Sequence, residues 1–200
     1  DVEYQKLTYD AQAYFPLGKD FVLRGYGKLG YGNDLPFYKN FYAGGFGSVR
    51  GYDNSTLGPK YPGVTYSESR SKDYDFEEVG GNALIQFGTE LALPLPFKGD
   101  WTRQVRPVLF AEGAQVFDTQ CDVPSGQLYM TGSKTDAGVD AKQYCKDNFG
   151  FELDNMRYSV GVGFTWITMI GPLSLSYAYP LNDKDGDETK NIQFEIGRTF

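Results

Sequence analysis

The chain has 200 residues and no linker or change of composition that would divide it, so the sequence predicts one domain over residues 1–200. Its net charge is −7 and it has no cluster of Lys and Arg, which argues against a nucleic-acid partner because phosphate binding requires grouped cations. With no His and only two Cys, the chain lacks the parts of zinc sites and of His-dependent catalytic centres. We therefore expect no enzyme activity, no metal site and no cofactor.

The composition points to membrane strands. No run of 18 apolar residues occurs, which excludes a transmembrane helix, but a spanning β-strand needs only about ten residues of which every second one is apolar. Aromatic residues make up 16% of the chain and Gly numbers 25, which suits strands, tight turns and an interfacial aromatic girdle. The chain begins at Asp1 without a signal peptide, so we expect a processed chain or a part of a longer one.

Seven segments alternate apolar and polar residues, the pattern of a half-buried β-strand. The first two are joined by a short turn and predict a hairpin. The fourth alternates less regularly, and its Pro107 is expected near the strand start because proline cannot donate to a central ladder. The segments are residues 4–15, 21–31, 80–93, 104–118, 156–167, 173–179 and 191–200.

The connections alternate between short turns and long polar loops. The turns are residues 16–20, 94–103 and 168–172, and the loops are residues 32–79, 119–155 and 180–190. Short turns on one rim and long loops on the other are typical of outer-membrane barrels. A soluble sandwich would have polar faces rich in Lys and Glu, whereas these are mostly Gly, Ser, Thr and Gln, which favours a barrel lumen. The sequence therefore predicts an all-β, transmembrane antiparallel β-barrel.

Two stretches and the end of the chain resemble the Omp85 family, in its barrel-assembly branch. They are PFYKNFYAGGFGSVRGYDNSTLGP (36–59), GGNALIQFGTELALPLPF (80–97) and a last strand ending in Phe200. The resemblance covers nearly the whole chain and is weakest in the loop that holds the cysteines. It implies about seven strands from the C-terminal part of a sixteen-stranded barrel. The periplasmic POTRA domains and the first half of the barrel are absent from the sequence.

The longest loop, 32–79, carries the motif VRGY, formed by Val49, Arg50, Gly51 and Tyr52. Composition alone is compatible with a solvated loop arginine. The sharper hypothesis is that the loop folds into the lumen, where Arg50 forms charge-assisted bonds with Glu90 and Glu112, which strand phase directs inward. The family resemblance implies a loop anchored by such a pair. A phosphate-binding loop is disfavoured because GGFGSVRG lacks the required Lys and following helix.

The other polar loops are expected to be structural. Cys121 and Cys145 lie in the loop 119–155 and predict a disulfide formed in an oxidising compartment, which stabilises the loop by roughly 3 kcal/mol. The acidic loop does not follow the residue order of an EF-hand, so we expect a solvated extracellular loop there rather than a calcium site. Its acidic residues are Asp183, Asp185, Asp187 and Glu188.

The last strand directs Phe194, Ile196 and Phe200 to the lipid and resembles the family's C-terminal targeting signal. Gly197 is expected to bend the strand, because glycine packs nothing and weakens local pairing. In the family the last strand pairs loosely with the first and forms a lateral gate. This chain would supply one side of that gate.

The resemblance implies an insertase that folds β-barrel proteins into the outer membrane of Gram-negative bacteria. The implied partners are nascent outer-membrane β-barrel proteins, assembly-complex lipoproteins, periplasmic POTRA domains and membrane lipid. An Omp85-like polypeptide secretion pore and a small structural or adhesin-type barrel remain as alternatives. Because bare strand edges are costly in lipid, we expect the seven strands to pair with another copy of the chain or to close as a distorted small barrel.

Overall fold

In the computed structural model, the described residues are 3–64, 74–95, 104–121, 149–169, 171–184 and 186–197. They form strands and two 3-10 turns, at Phe37–Lys39 and Leu153–Asn155. None of the helical turns in these ranges is long and apolar enough to cross a bilayer. The strands are β1 (Gln5–Gly18), β2 (Phe21–Asn33), β3 (Gly51–Tyr52), β4 (Lys60–Val64), β5 (Tyr74–Glu78), β6 (Ala83–Ala92), β7 (Val105–Phe117), β8 (Arg157–Thr168), β9 (Gly171–Pro180), β10 (Thr189–Lys190) and β11 (Ile192–Ile196).

Seven of the strands form one antiparallel sheet in the order β1-β2-β6-β7-β8-β9-β11. Apart from the short strands within the polar loops, neighbours along the chain are neighbours in the sheet, as in an up-and-down barrel. The first hairpin is tighter than the sequence suggested: β1 and β2 extend toward each other and leave only Lys19 and Asp20 between them, both with positive φ. Pro107 is the third residue of β7, near the strand start as predicted.

The sheet is open. Within the described residues β1 pairs only with β2, and β11 pairs only with β9. The expectation of a distorted small barrel is therefore wrong for the described residues. Residues of the loop 32–79 occupy the inner face, so a closed barrel of these seven strands would have to enclose the loop as well as its own inward side chains. Pairing of the edges with another copy of the chain remains a prediction.

The two faces of the sheet differ in polarity as the alternation predicted. On β8, Val162 and Trp166 point outward and are half exposed, whereas Ser159 and Thr165 point inward and are buried. The same alternation holds along β9 and β11. The outer face presents exposed aliphatic and aromatic side chains of the kind that a bilayer accepts. They include Leu29, Tyr31, Phe87, Leu109, Val160, Val162, Phe164, Trp166, Tyr177, Tyr179, Ile192, Phe194 and Ile196.

The described part of the loop 32–79 contains secondary structure that a polar loop was not expected to have. It includes β3, the antiparallel pair β4 and β5, and an apolar cluster that packs on the inner face of β6 and β7. This explains why the alternation of β7 is irregular: its inward side chains meet the loop rather than water, and several are apolar. The cluster consists of Phe41, Ala43, Val49, Tyr52, Leu57, Leu84, Ala114 and Val116.

Candidate functional site

The VRGY motif lies against the inner face of the sheet, and its backbone turns sharply at Gly51. This residue has φ +96°, and a Cβ there would lie 3.2 Å from the Cβ of Ala178 on β9. Glycine is the residue that adopts positive φ without a steric penalty, and it also allows the close approach. Arg50, before the turn, is bound by carboxylates of β6 and β7, and Tyr52, after it, packs against the same strands and also bonds to β8 and β11.

Arg50 is 1% exposed and binds two carboxylates. Its main-chain N–H donates to Glu112 Oε2 at 2.8 Å, and its side-chain Nε and Nη2 donate to Glu112 Oε1 at 2.9 and 2.5 Å. Nη2 also donates to Glu90 Oε1 at 2.6 Å. The structure thus brings Arg50 of the loop together with Glu90 and Glu112, the two carboxylates that strand phase selected. Glu90 and Glu112 are 4% and 3% exposed, so the ion pairs are shielded from solvent.

Tyr26 adds a donor from the far side of β6. Its hydroxyl donates to Glu112 Oε1 at 2.5 Å, although Tyr26 is on β2 and Glu112 is on β7. Gly88 on the intervening strand pairs with both residues, and a Cβ at Gly88 would lie 2.5 Å from the Tyr26 hydroxyl. The missing side chain at Gly88 therefore leaves the space through which Tyr26 reaches Glu112.

A second cation balances the carboxylates. Arg24 on β2 pairs in register with Glu90, and its Nη1 donates to Glu90 Oε2 at 2.8 Å. Its Nη2 donates to Gln12 Oε1 on β1 at 3.2 Å. Two arginines, two glutamates and the neutral Tyr26 then form a cluster of zero net charge. We call it the Arg50 cluster, and its members are Arg24, Tyr26, Arg50, Glu90 and Glu112. A neutral, multiply bonded cluster offsets the desolvation that makes an isolated buried charge costly.

The Arg50 guanidinium also lies over an aromatic ring. Its Cζ is 3.5 Å from the centroid of Phe110, a geometry that favours a cation–π interaction. Burial by itself would lower the pKa of Arg50, but Glu112, followed by Glu90, outweighs it, so the pKa lies above its ordinary value. Arg50 therefore stays charged while it is buried.

Val49 and Tyr52 anchor the motif by packing. Both side chains are fully buried in the apolar cluster against β6 and β7. The Tyr52 hydroxyl donates to the Tyr158 carbonyl on β8 at 3.4 Å. The Tyr52 carbonyl accepts a 2.6 Å bond from the side-chain amide of Gln193 on β11. The four residues of the motif therefore contact the sheet from β6 to its last strand.

The residue after the motif continues this contact. The Asp53 N–H donates to the Glu188 carbonyl at 2.8 Å, and β3 pairs with β10 through Tyr52–Thr189 and Gly51–Lys190. The Asn54 backbone N–H, together with the Lys190 ammonium 3.3 Å away, holds the pKa of Asp53 below its usual range. The VRGY segment is thus joined to the chain that leads into β11.

The terminal strand agrees in orientation with the sequence-based expectation. Phe194 and Ile196 are 60% and 58% exposed on the outer face. Gly197 has φ +95° and follows the last residue of β11, and its N–H donates to the Pro172 carbonyl at 2.8 Å. Phe200 lies outside the described residues. The roles of these residues in targeting and in a seam stay predictions.

The cysteine and acidic loops are partly described. Cys121 is buried, but Cys145 lies outside the described residues, so the disulfide stays a prediction. In the acidic loop, Asp187 forms an ion pair with Arg157 on β8. That carboxylate is therefore part of the attachment of this loop to the sheet. Asp185 lies outside the described residues.

Sequence reasoning missed Arg24, Tyr26, Phe110 and Gln193 as members of the site. The signal for Arg24, Tyr26 and Gln193 was present, because each has the inward phase of its strand. Phase alone does not fix the height of a side chain in the lumen, which depends on the register of every intervening strand pair. Phe110 has the same strand phase as Glu112, two residues further on, but its apolar side chain gave no reason to expect it beside a cation.

An antiparallel sheet with an apolar outer face, and with a loop bound to its polar inner face by buried ion pairs, defines an outer-membrane β-barrel architecture. The chain belongs to the Omp85 superfamily, whose domain matches residues 1–200.

Three relatives refine this assignment. The chain is 39% identical over its whole length to the outer membrane protein assembly factor BamA of Neisseria meningitidis serogroup B, and covers 24% of that protein. It is 24% identical over its whole length to BamA of Nitratidesulfovibrio vulgaris, and covers 21% of it. A crystal structure of BamA from Haemophilus ducreyi lacking POTRA domains 1–3 superposes with a TM-score of 0.72 at 31% identity. That superposition covers 97% of this chain and 35% of the other. The chain therefore spans about a quarter of the curated relatives that it matches.

Proposed function

We propose that the chain is the C-terminal part of the barrel of an outer-membrane protein insertase. The observation that carries the proposal is its 39% identity, over the whole chain, to a protein named as an outer membrane protein assembly factor. The chain acts in the cell outer membrane of Gram-negative bacteria. It works without enzymatic chemistry, by presenting strand edges and a membrane-facing surface.

The physical basis of insertion is the cost of unpaired backbone. Each unsatisfied N–H or C=O costs several kcal/mol in hydrocarbon, so an exposed strand edge in the bilayer recruits another strand. The outer edge of β11 has no strand partner among the described residues. In the whole protein, this edge is one side of a seam that opens and pairs with the first strands of an incoming β-barrel protein.

In this insertase, the Arg50 cluster fixes the loop 32–79 to the inner face of the sheet, and we call this attachment the latch. Its buried ion pairs hold the loop 32–79 against β6 and β7, so the inner face stays covered while the seam moves. A buried pair is strongly destabilised when one partner is removed, because the remaining charge has no solvent.

The partners in this function are nascent outer-membrane β-barrel proteins and membrane lipid. Assembly-complex lipoproteins and POTRA domains complete the machine on the periplasmic side. Self-association of the chain through its strand edges is a further proposal, since each edge offers a row of backbone donors and acceptors.

The test is depletion of the natural protein in cells, followed by quantification of folded outer-membrane barrels. We expect a general loss of barrels, restored by the wild-type gene and not by the Arg50→Ala variant. If barrels of many families still assemble and one exported polypeptide is lost, the protein is a secretion pore and the insertase proposal is wrong.

A further inference from the structure

We propose that Gln193 is a positioning residue that couples the VRGY loop to the terminal strand, so that release of the Arg50 latch also loosens β11. The inference rests on the proposed function, in which β11 forms one side of the seam. It concerns a contact between two segments that lie 141 residues apart in the chain.

The contact is short and buried. The side-chain Nε2 of Gln193 donates to the Tyr52 carbonyl at 2.6 Å, and Gln193 is 5% exposed. Tyr52 is fully buried, so its carbonyl has no access to water. Removing the donor would leave a buried backbone acceptor unsatisfied, which is more costly than the loss of an exposed bond.

The two segments that the Gln193–Tyr52 bond joins are also held together by backbone hydrogen bonds. The segment from Glu188 to Gln193 contacts the segment from Gly51 to Asp53 through the β3–β10 pair and the bond from Asp53 N–H to the Glu188 carbonyl. Arg50, one residue before this segment, is bound by carboxylates on β6 and β7. Arg50 is thus fixed to β6 and β7 by ion pairs, and Tyr52, two residues further on, packs against the same strands and is also bound to β11 through its carbonyl.

β11 is the strand whose stability depends most on such a contact. It has five residues, compared with 10 in β9 and 12 in β8. Among the described residues it pairs with β9 on one side only. Its outward side chains Ile192, Phe194 and Ile196 are all more than half exposed and pack little against other strands. The inward bond from Gln193 therefore adds to the one-sided pairing with β9 that holds β11 in place.

β6 provides a matched control. Gln86 is also a buried inward glutamine whose Nε2 donates to a carbonyl of the same loop, that of Gly47, at 3.0 Å. It contacts the loop away from β11. Both Gln86→Leu and Gln193→Leu remove an amide-to-carbonyl bond to the loop, and Gln86→Leu also removes the bond from Ser48 Oγ to Gln86 Oε1, but only Gln193→Leu removes a contact to the terminal strand.

The experiment is hydrogen exchange measured by mass spectrometry on the natural full-length protein in lipid nanodiscs. For the peptide 192–197 we expect Gln193→Leu to accelerate exchange about fivefold, the effect of one buried hydrogen bond, and Gln86→Leu to leave it within twofold of wild type. Arg50→Ala should accelerate the same peptide. The Gln193→Leu/Arg50→Ala double variant should exchange no faster than the faster single variant, because the two changes break one connection.

Two results would overturn the coupling. One is unchanged exchange of residues 192–197 in Gln193→Leu, and the other is a double variant whose acceleration is the product of the two single effects. Exchange in the peptide 157–168 of β8 reports general destabilisation, so an equal acceleration there also counts against the proposal. Should Gln193→Leu fail to fold, Gln193→Asn, whose amide is one methylene short of the Tyr52 carbonyl, has the same two outcomes.

The exchange assay contains no substrate barrel, so it separates the coupling from the insertase function. Insertion of a denatured β-barrel protein into vesicles that contain each variant is measured independently. Coupled exchange without insertion by the wild type would contradict the proposed function and leave the coupling intact. Insertion without coupled exchange would contradict the coupling alone.

Discussion

Arg50 and Glu112 are joined by three hydrogen bonds, one from the main chain of Arg50 and two from its guanidinium. The carboxylate thus binds both the side chain and the local backbone of the motif. A residue that only neutralised charge would not require this geometry. The pair therefore fixes the conformation of the loop as well as its position, and its geometry makes several substitutions informative.

Removing Glu112 should release the loop. In Glu112→Ala, Arg50 keeps Glu90 but loses its closest partner in a buried site, and we expect a destabilisation of about 3–5 kcal/mol. The measurement is the rate of proteolysis within residues 32–79 of the folded protein in detergent. Lys190→Ala breaks an ion pair with Asp53 whose side chains are 51% and 35% exposed, and should change stability by less than about 1 kcal/mol. Equal proteolysis of the two variants would contradict the latch.

Lysine should not replace Arg50. An ammonium can neutralise the carboxylates, but it has only one nitrogen, so it cannot reproduce the donation to Glu112 from both Nε and Nη2. We expect Arg50→Lys to lose about 1–3 kcal/mol of stability, the cost of an incompletely bonded buried group. The midpoint of thermal unfolding, followed by gel mobility, measures this loss. A variant as stable as wild type would show that charge alone is sufficient.

Arg24 should contribute to the same cluster. Arg24→Ala leaves two carboxylates facing one arginine, so we expect a loss of about 1–3 kcal/mol and faster release of the loop. The neighbouring Lys28 is the control, because its 3.8 Å pair with Asp10 is exposed and should contribute about 0–1 kcal/mol. Chemical denaturation of both variants in the same detergent gives the comparison. Equal midpoints for the two variants would exclude Arg24 from the latch.

Gly88 should tolerate no side chain. A Cβ there would meet the ring and hydroxyl of Tyr26 at 2.5 Å, so Gly88→Ala should displace the Tyr26 hydroxyl from Glu112 and cost about 1–3 kcal/mol. Gly25→Ala is the control, since its Cβ would have no heavy atom within 4 Å. In the Tyr26→Phe background, where the hydroxyl is absent, the cost of Gly88→Ala should fall. An unchanged cost in that background would point to another cause.

The disulfide has a direct test. Mass measurement of the intact, unreduced protein after alkylation should show no modified cysteine, and reduction should expose both Cys121 and Cys145. Two alkylated cysteines without reduction would contradict the pairing.

The sequence by itself determined the seven strands of the main sheet and their faces. Lipid on one side and a polar lumen on the other require opposite side chains at successive residues, and this period of two is visible in the β8 segment from Tyr158 to Trp166. The same phase selected Glu90 and Glu112 as inward carboxylates for Arg50. Turn and loop lengths then gave the order of strands, because neighbouring strands of an up-and-down barrel follow each other in the chain.

Only the tertiary structure decided which inward residues meet. Arg24 lies beside Glu90, and Tyr26 reaches Glu112 across Gly88, because of the summed registers of β2, β6 and β7, which local sequence does not encode. The apolar inner face of β7 matches the packing of the loop, whose residues lie far from β7 in the chain. The contact from Gln193 to Tyr52 is the extreme case: it spans 141 residues, and neither segment carries a local pattern that specifies the other.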